Sequence, residues 1–420
     1  MNSIEKSEAR LKDYVKSLGP GLITGASDDD PSGIATYSQA GAGFGFATLW
    51  TAWITFPLMA CVQEMCARIG MVTTHGLTRI IKTYYSRRLL YIMLVLSFPA
   101  IVLNIGADIA GMGAVSNLLI PSVPPFAFSI LFTALLMFFI IRFSYKKLAS
   151  ILKWLCIVLF LYIIVPFLVT KNWNIVLRDT FIPTIHFDRD FWEILVAILG
   201  TTISPYLFFW QANMEAENQA HSAFIIVDKF SIRKMRSDVI SGMLFSNMVM
   251  FFIILTTGAV LYNAGVRKID TVEQAAQALR PLAGNLSYLL FAIGVIGTGL
   301  LSIPVLAGSL SYILSETFNW KEGLDKKFSE AKGFYITIII SLLTGLAINL
   351  TGITPFQALY YTAIVYGITA PVLVGIIIHI CNNKKIMRDK TNGKLSNTLG
   401  FITFVIMSIA AIALIYFQFK

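Results

Sequence analysis

Apolar runs separated by short polar stretches recur from residue 18 almost to the end of the chain. A helix rises about 1.5 Å per residue, so roughly twenty mostly apolar residues cross a bilayer. Eleven runs meet that criterion, near 18–46, 48–71, 90–119, 124–142, 148–169, 190–215, 237–263, 284–312, 333–350, 355–381 and 396–418. The pattern predicts an all-α polytopic membrane protein, with 1–420 as a single transmembrane domain and 1–17 as a cytoplasmic tail. Two runs, the first and the sixth, are interrupted: by "ASDDDPSGIA" at 26–35 and by "GTTISPYLFFWQ" at 200–211.

Charge placement sharpens that reading. Alternate loops collect the basic residues: Arg79, Lys82, Arg87 and Arg88; then Arg142, Lys146 and Lys147; then Lys229, Arg233, Lys234 and Arg236. Lys321, Lys326, Lys327 and Lys332 follow, and finally Lys384, Lys385, Arg388, Lys390 and Lys394. The intervening "IPSVPP" and "TGITPFQ" have none. This positive-inside pattern predicts a cell-membrane protein with a cytoplasmic N-terminus and, for an odd number of spans, an outer C-terminus. The net charge of +10 is therefore topology and not a nucleic-acid surface. At 56% hydrophobic and a mean hydropathy of +0.72, the chain is too apolar for a soluble domain of its length. Cys61, Cys66, Cys156 and Cys381 lie in apolar segments without metal or disulfide spacing, which predicts core packing. The charged start, "MNSIEKSEARLKDYVKS", lacks the apolar region of a signal peptide.

The interruptions are the candidate site. A backbone break inside a bilayer is tolerated only where it lines a cavity or is buried in protein. Pro31 removes a donor and disfavours helix at Asp30, and Pro205 does the same at Ser204. Breaks at matching places in two five-span halves are how inverted-repeat transporters build a midplane site. The halves here are 18–169 and 190–381, with 396–418 as an eleventh span. Asp28, Asp29 and Asp30 each cost a few kcal/mol near a bilayer centre, so such residues usually mark a pathway. A bound cation relieves both that cost and their mutual repulsion. Carboxylates and unwound carbonyls are hard ligands, suited to Mg²⁺, Ca²⁺ or Mn²⁺.

On these residues the sequence resembles the NRAMP family of divalent-metal transporters. The likeness runs through "GPGLITGASDDDPSGIATYSQAGAGFGFATLW", "PLMACVQEMCARIG", "LNIGADIAGMGAVSNLL" and "GTTISPYLFFWQA". It implies a LeuT-type inverted repeat of five plus five helices with an eleventh span, helices 1 and 6 broken, and inward metal transport. It also implies a metal site at the family's D-P-G-N motif plus a span-6 carbonyl and thioether. Asp30 matches the aspartate, but Gly33 stands at the asparagine, Thr201 at the carbonyl, Ser204 at the methionine and Tyr206 at a histidine. In span 3, Asp108 is kept while Gly111 replaces a second acid.

Thioether sulfur favours transition metals, so its loss predicts an oxygen-only, roomier site that admits partly hydrated Mg²⁺ and also Mn²⁺. This is similar to the NRAMP-related magnesium transporters. Loss of the histidine and one acid predicts potential-driven uptake with weak or absent proton coupling. A conventional proton-coupled Mn²⁺/Fe²⁺ transporter is the alternative. The transported cation and the lipid bilayer are the expected partners, with no other cofactor and a monomeric state.

Glu64 and Arg68, at i and i+4, are expected to pair on a helix face, with the cation route as Glu64's other possible place. Glu215 and Glu217 are expected at a solvated helix end, Tyr360, Tyr361 and Tyr366 mostly in aromatic packing, and 172–190 in an outer loop. His75, His186, His221 and His379 have no ligand spacing. A membrane prenyltransferase-type enzyme would need a second acidic cluster and bases for a diphosphate, and "TTISPYLF" has neither. A sodium-coupled transporter of a carboxylate solute is opposed by three aspartates at the first break.

Overall fold

The computed structural model describes residues 19–143, 161–220 and 227–418, which are helical throughout apart from turns and loops. Lys146, Lys147, Cys156, His221 and most of the run at 148–169 lie outside the described residues. The α-helices of eight or more residues are α1 (Pro20–Asp28), α2 (Pro31–Phe44), α3 (Trp50–Thr73), α4 (Leu77–Tyr84), α5 (Arg87–Leu119), α6 (Pro125–Arg142) and α7 (Leu161–Val169). They continue as α8 (Trp173–Phe181), α9 (Arg189–Thr202), α10 (Pro205–Ala220), α11 (Lys229–Thr257), α12 (Ser287–Phe318), α13 (Lys332–Ile348), α14 (Pro355–Asn382) and α15 (Lys394–Gln418).

Among the described residues, seven helical stretches are long and apolar enough to cross a membrane. They are Arg87–Leu119, Pro125–Arg142, Arg189–Ala220 with its break, Lys229–Tyr262, Ser287–Phe318, Pro355–Asn382 and Lys394–Gln418. Lys332–Ile348 is apolar but shorter. The first run is divided into α1 and α2, and neither piece is long enough alone.

Both breaks follow the prolines. Pro31 and Pro205 each occupy the first turn of a new helix, where a missing N–H costs nothing. Asp30 is extended (φ −71°, ψ 171°) and caps α2 by accepting the Gly33 N–H on Oδ1 at 2.7 Å. Ser204 works in the other direction, donating Oγ–H to the Thr201 and Gly200 carbonyls at the end of α9 (2.5 and 3.2 Å).

The half-helices sit in the middle of the bundle. α1 packs on α10, α11 and α12, while α2 packs on α9, α11 and α14. The α1–α11 contact is backbone on backbone. A Cβ on Gly25 would lie 2.2 Å from the Gly242 carbonyl oxygen, and one on Gly242 would lie 2.1 Å from that of Gly21. At the start of α1 the Asp238 carboxylate of α11 accepts the N–H groups of Gly19 (2.8 Å) and Gly21 (2.7 Å), two donors that a helix start leaves free.

The expected loop at 172–190 is a helix over part of its length, α8. Its Val176, Asp179 and Thr180 are buried, and Trp173 and Phe181 stack on Phe167 and Trp53, so an amphipathic helix lies against the bundle there. Glu215 is also not solvated. It is 5% exposed and accepts from Gln211 Nε2 at 3.3 Å. Glu217 accepts the Tyr312 hydroxyl at 2.6 Å. Cys61, Cys66 and Cys381 are free and buried.

Candidate metal centre

The two breaks meet. A Cβ on Gly33 would lie 3.4 Å from Thr201 Oγ1 and 3.5 Å from the Asp28 carbonyl oxygen. Gly33 therefore faces both the second break and the end of α1, with the Tyr37 ring equally close at 3.4 Å. Tyr206 ties the breaks together: its hydroxyl donates to the Ser27 carbonyl at 3.0 Å, while its ring lies 5.8 Å from that of Tyr366. Tyr37 of α2 pairs its hydroxyl with Thr202 Oγ1 at 3.3 Å. All of these side chains are buried.

The three aspartates diverge. Asp30 points toward α5, where Asn104 Nδ2 donates to its Oδ2 at 2.9 Å. Asn104 is held in turn by the Thr362 hydroxyl of α14 (3.2 Å), which also reaches Ser32 Oγ at 3.4 Å. Asp108 lies one turn beyond Asn104, within electrostatic reach of Asp30, with Ser302 Oγ 3.4 Å from its Oδ2. Asp28 and Asp29 face α11 instead, where Ser246 Oγ lies 2.6 Å from Asp28 Oδ2 and 3.4 Å from Asp29 Oδ1. Among the described residues, no three His, Cys, Asp or Glu side chains converge as a metal-holding group. Carbonyls, hydroxyls and water would have to complete any coordination shell here, which hard cations accept.

Asn104, Thr362 and Ser246 are uncharged and were not singled out by sequence. Their one signal is a polar residue in an apolar span. Met250 of α11, apolar in an apolar span, gave no signal at all, yet its sulfur lies 3.7 Å from Thr202 Oγ1, so sulfur reaches the second break although Ser204 has none. The Thr201 carbonyl already accepts from Ser204, leaving one lone pair for a ligand. Gly111 sits against the Leu359 side chain, which a Cβ there would meet at 3.0 Å. Glu64 does not join the centre: Arg68 Nη2 (3.2 Å) and Arg236 Nη2 (3.0 Å) occupy its two oxygens.

The model of the family described as natural resistance-associated macrophage protein-like matches residues 21–417. The chain belongs to the NRAMP family. Among relatives of this NRAMP chain are divalent metal cation transporters MntH. That of Caldanaerobacter subterraneus is 22% identical over 98% of this chain and 95% of its own length. That of Clostridium acetobutylicum is 24% identical over 100% and 95%. In fold, the chain is similar to the Eremococcus coleocola manganese transporter, with a TM-score of 0.77 and 20% identity over 96% of this chain and 87% of that one. Mhp1, a nucleobase-cation-symport-1 family transporter, matches with a TM-score of 0.60 and 13% identity over 96% and 91%. This NRAMP protein is thus a multi-pass, all-α membrane protein of LeuT-like fold. It is a divalent metal cation transporter and not an enzyme.

Proposed function

We propose that the chain imports divalent cations through the space between the two helix breaks, with Mn²⁺ as cargo. The observation that carries this reading is the meeting of Gly33, Thr201 and the Asp28 carbonyl beside Asp30 and Asp108. Asp30 supplies the charge, Asn104 orients it, and the Thr201 and Ser204 oxygens line the opposite wall. Relatives named for divalent metals and a fold neighbour named for manganese support Mn²⁺. Asp108 keeps a titratable acid at the site, which suits proton coupling. The arrangement proposed is a single domain of eleven spans in five-plus-five repeats, with the N-terminus cytoplasmic and the C-terminus outside, acting as a monomer.

A second reading is Mg²⁺ uptake with little proton movement. Ser204, Gly33 and Tyr206 favour it, because Ser204 brings an oxygen, Gly33 adds no donor and Tyr206 brings a hydroxyl where an imidazole would stand. Uptake of Mn²⁺ and Mg²⁺ into proteoliposomes, with internal pH recorded, separates the two. Mn²⁺ entry with acidification, lost in Asp30→Ala, is the expected result. Mg²⁺ entry without acidification would favour the second reading. Entry of neither ion, or entry undiminished in Asp30→Ala, would defeat the proposed site.

A further inference from the structure

Four carboxylates, those of Asp28, Asp29, Asp30 and Asp108, are at most 2% exposed. No ion pair among the described residues reaches any of them. An ionised carboxylate buried without a partner costs several kcal/mol even after relaxation. One divalent cation offsets two of these charges and leaves two.

Hydrogen bonding separates the four into pairs. Asp30 has both oxygens engaged, by the Gly33 N–H and by Asn104, and Asp108 lies near it. On the other side, Asp28 and Asp29 share one hydroxyl, that of Ser246. Asp28 Oδ1 and Asp29 Oδ2 are buried with no partner at all. A hydroxyl has a single proton, so Ser246 donates to one carboxylate at a time and its lone pairs remain available. These residues also sit at the carboxyl end of α1, with Asp29 at its C-cap, where the helix dipole favours positive charge. Asp30, as the N-cap of α2, sits at the opposite polarity.

We propose that Asp28, Asp29 and Ser246 form a second divalent-cation position, distinct from the one around Asp30. Two carboxylates and a hydroxyl are hard oxygen donors of charge −2, matched to a hydrated or partly hydrated divalent ion. The cargo would occupy two places on one path, each offsetting one carboxylate pair. This rests on the cation-transport reading, and the test separates the two.

The test measures Mn²⁺ bound per chain by equilibrium dialysis of the purified full-length protein in detergent, alongside Mn²⁺ uptake in proteoliposomes. Two equivalents are expected for the wild type, and one for the Asp28→Asn/Asp29→Asn double variant. Ser246→Ala keeps both carboxylates but removes the neutral oxygen donor, and its second equivalent should weaken roughly tenfold or more. One equivalent in the wild type, with uptake intact, would overturn the second position and leave transport standing. Two equivalents unchanged in both variants would overturn it equally. Should the double variant bind nothing because it does not fold, Ser246→Ala decides: a weakened second equivalent supports the proposal and an unchanged one overturns it. Absence of wild-type uptake of any divalent ion would count against the transport reading itself.

Discussion

Glu64 and the aspartates at the first break are all buried carboxylates in one bundle, yet their surroundings are opposite. Glu64 gives one oxygen to Arg68 and the other to Arg236, and Arg68 also donates to the Lys390 carbonyl at 2.8 Å. That network joins α3, α11 and the segment before α15. Asp28, Asp29 and Asp108 each keep an oxygen with no partner, and no arginine or lysine pairs with them among the described residues. A carboxylate with its cation built in holds helices together. One whose cation is missing from the chain is costly until a mobile cation arrives, and so has a use for it.

The contrast can be broken most directly at Asp108. Asp108→Asn removes an unpaired charge, so metal-free protein should gain thermal stability while Mn²⁺ uptake falls by about 10–100-fold, the usual range for groups supporting a metal site. A loss of stability with normal uptake would place Asp108 with Glu64. The converse substitution, Glu64→Gln, takes one charge from between two arginines. It should lower stability by about 2 kcal/mol, less than a fully buried pair because Arg236 is half exposed, and leave uptake per folded molecule within about twofold. A thermal melt and a flux assay on the same preparation test both substitutions.

Asn104→Leu asks whether Asp30 needs orientation as well as charge. Losing a hydrogen bond to a charged group costs about 1.5–3 kcal/mol, so KM for Mn²⁺ should rise roughly tenfold or more with little change in maximal rate. An unchanged KM would make the Asn104–Asp30 contact incidental.

The smallest effect is expected at Glu322, in the segment after α12. Burial pushes its carboxyl up from 4.5 to about 7, and Arg79 opposes the shift only in part. The folded state therefore binds this proton more tightly than the unfolded state, and stability should decline as pH rises from about 4.5 to 7. Glu322→Gln should flatten that part of a melting-temperature profile. An unaltered slope would show that other groups set it.

Much of the fold was legible because its signal is coarse. Twenty-residue apolar runs point to helices, and the prolines that follow polar residues, Pro31 after three aspartates and Pro205 after Ser204, point to the breaks without any knowledge of packing. Pro57, Pro99, Pro304 and Pro371, by contrast, lie inside continuous helices. The site was legible in part: aspartates in an apolar run are conspicuous whatever their direction. Their division between α5 and α11 was not legible, because successive residues at a break point according to backbone angles that sequence does not display. Asn104, Thr362 and Ser246 were missed for a related reason. A single amide or hydroxyl is common in apolar spans, and only contact with a carboxylate marks it. The helix α8 was missed because nine residues of mixed polarity resemble a loop until neighbouring aromatic rings are placed.

The glycine contact between α1 and α11 has a mechanical consequence. With no side chains between Gly21, Gly25 and Gly242, and with Asp238 gripping the first turn, the half-helix has little room to slide or roll on its neighbour. While that clasp is intact, any motion between α1 and α2 is concentrated in the two residues that belong to neither, Asp29 and Asp30. On the reading proposed above, the joint is made of cation ligands. Bending it alters the separation of the two carboxylate pairs, so the spacing a cation meets and the angle of the broken helix are a single variable.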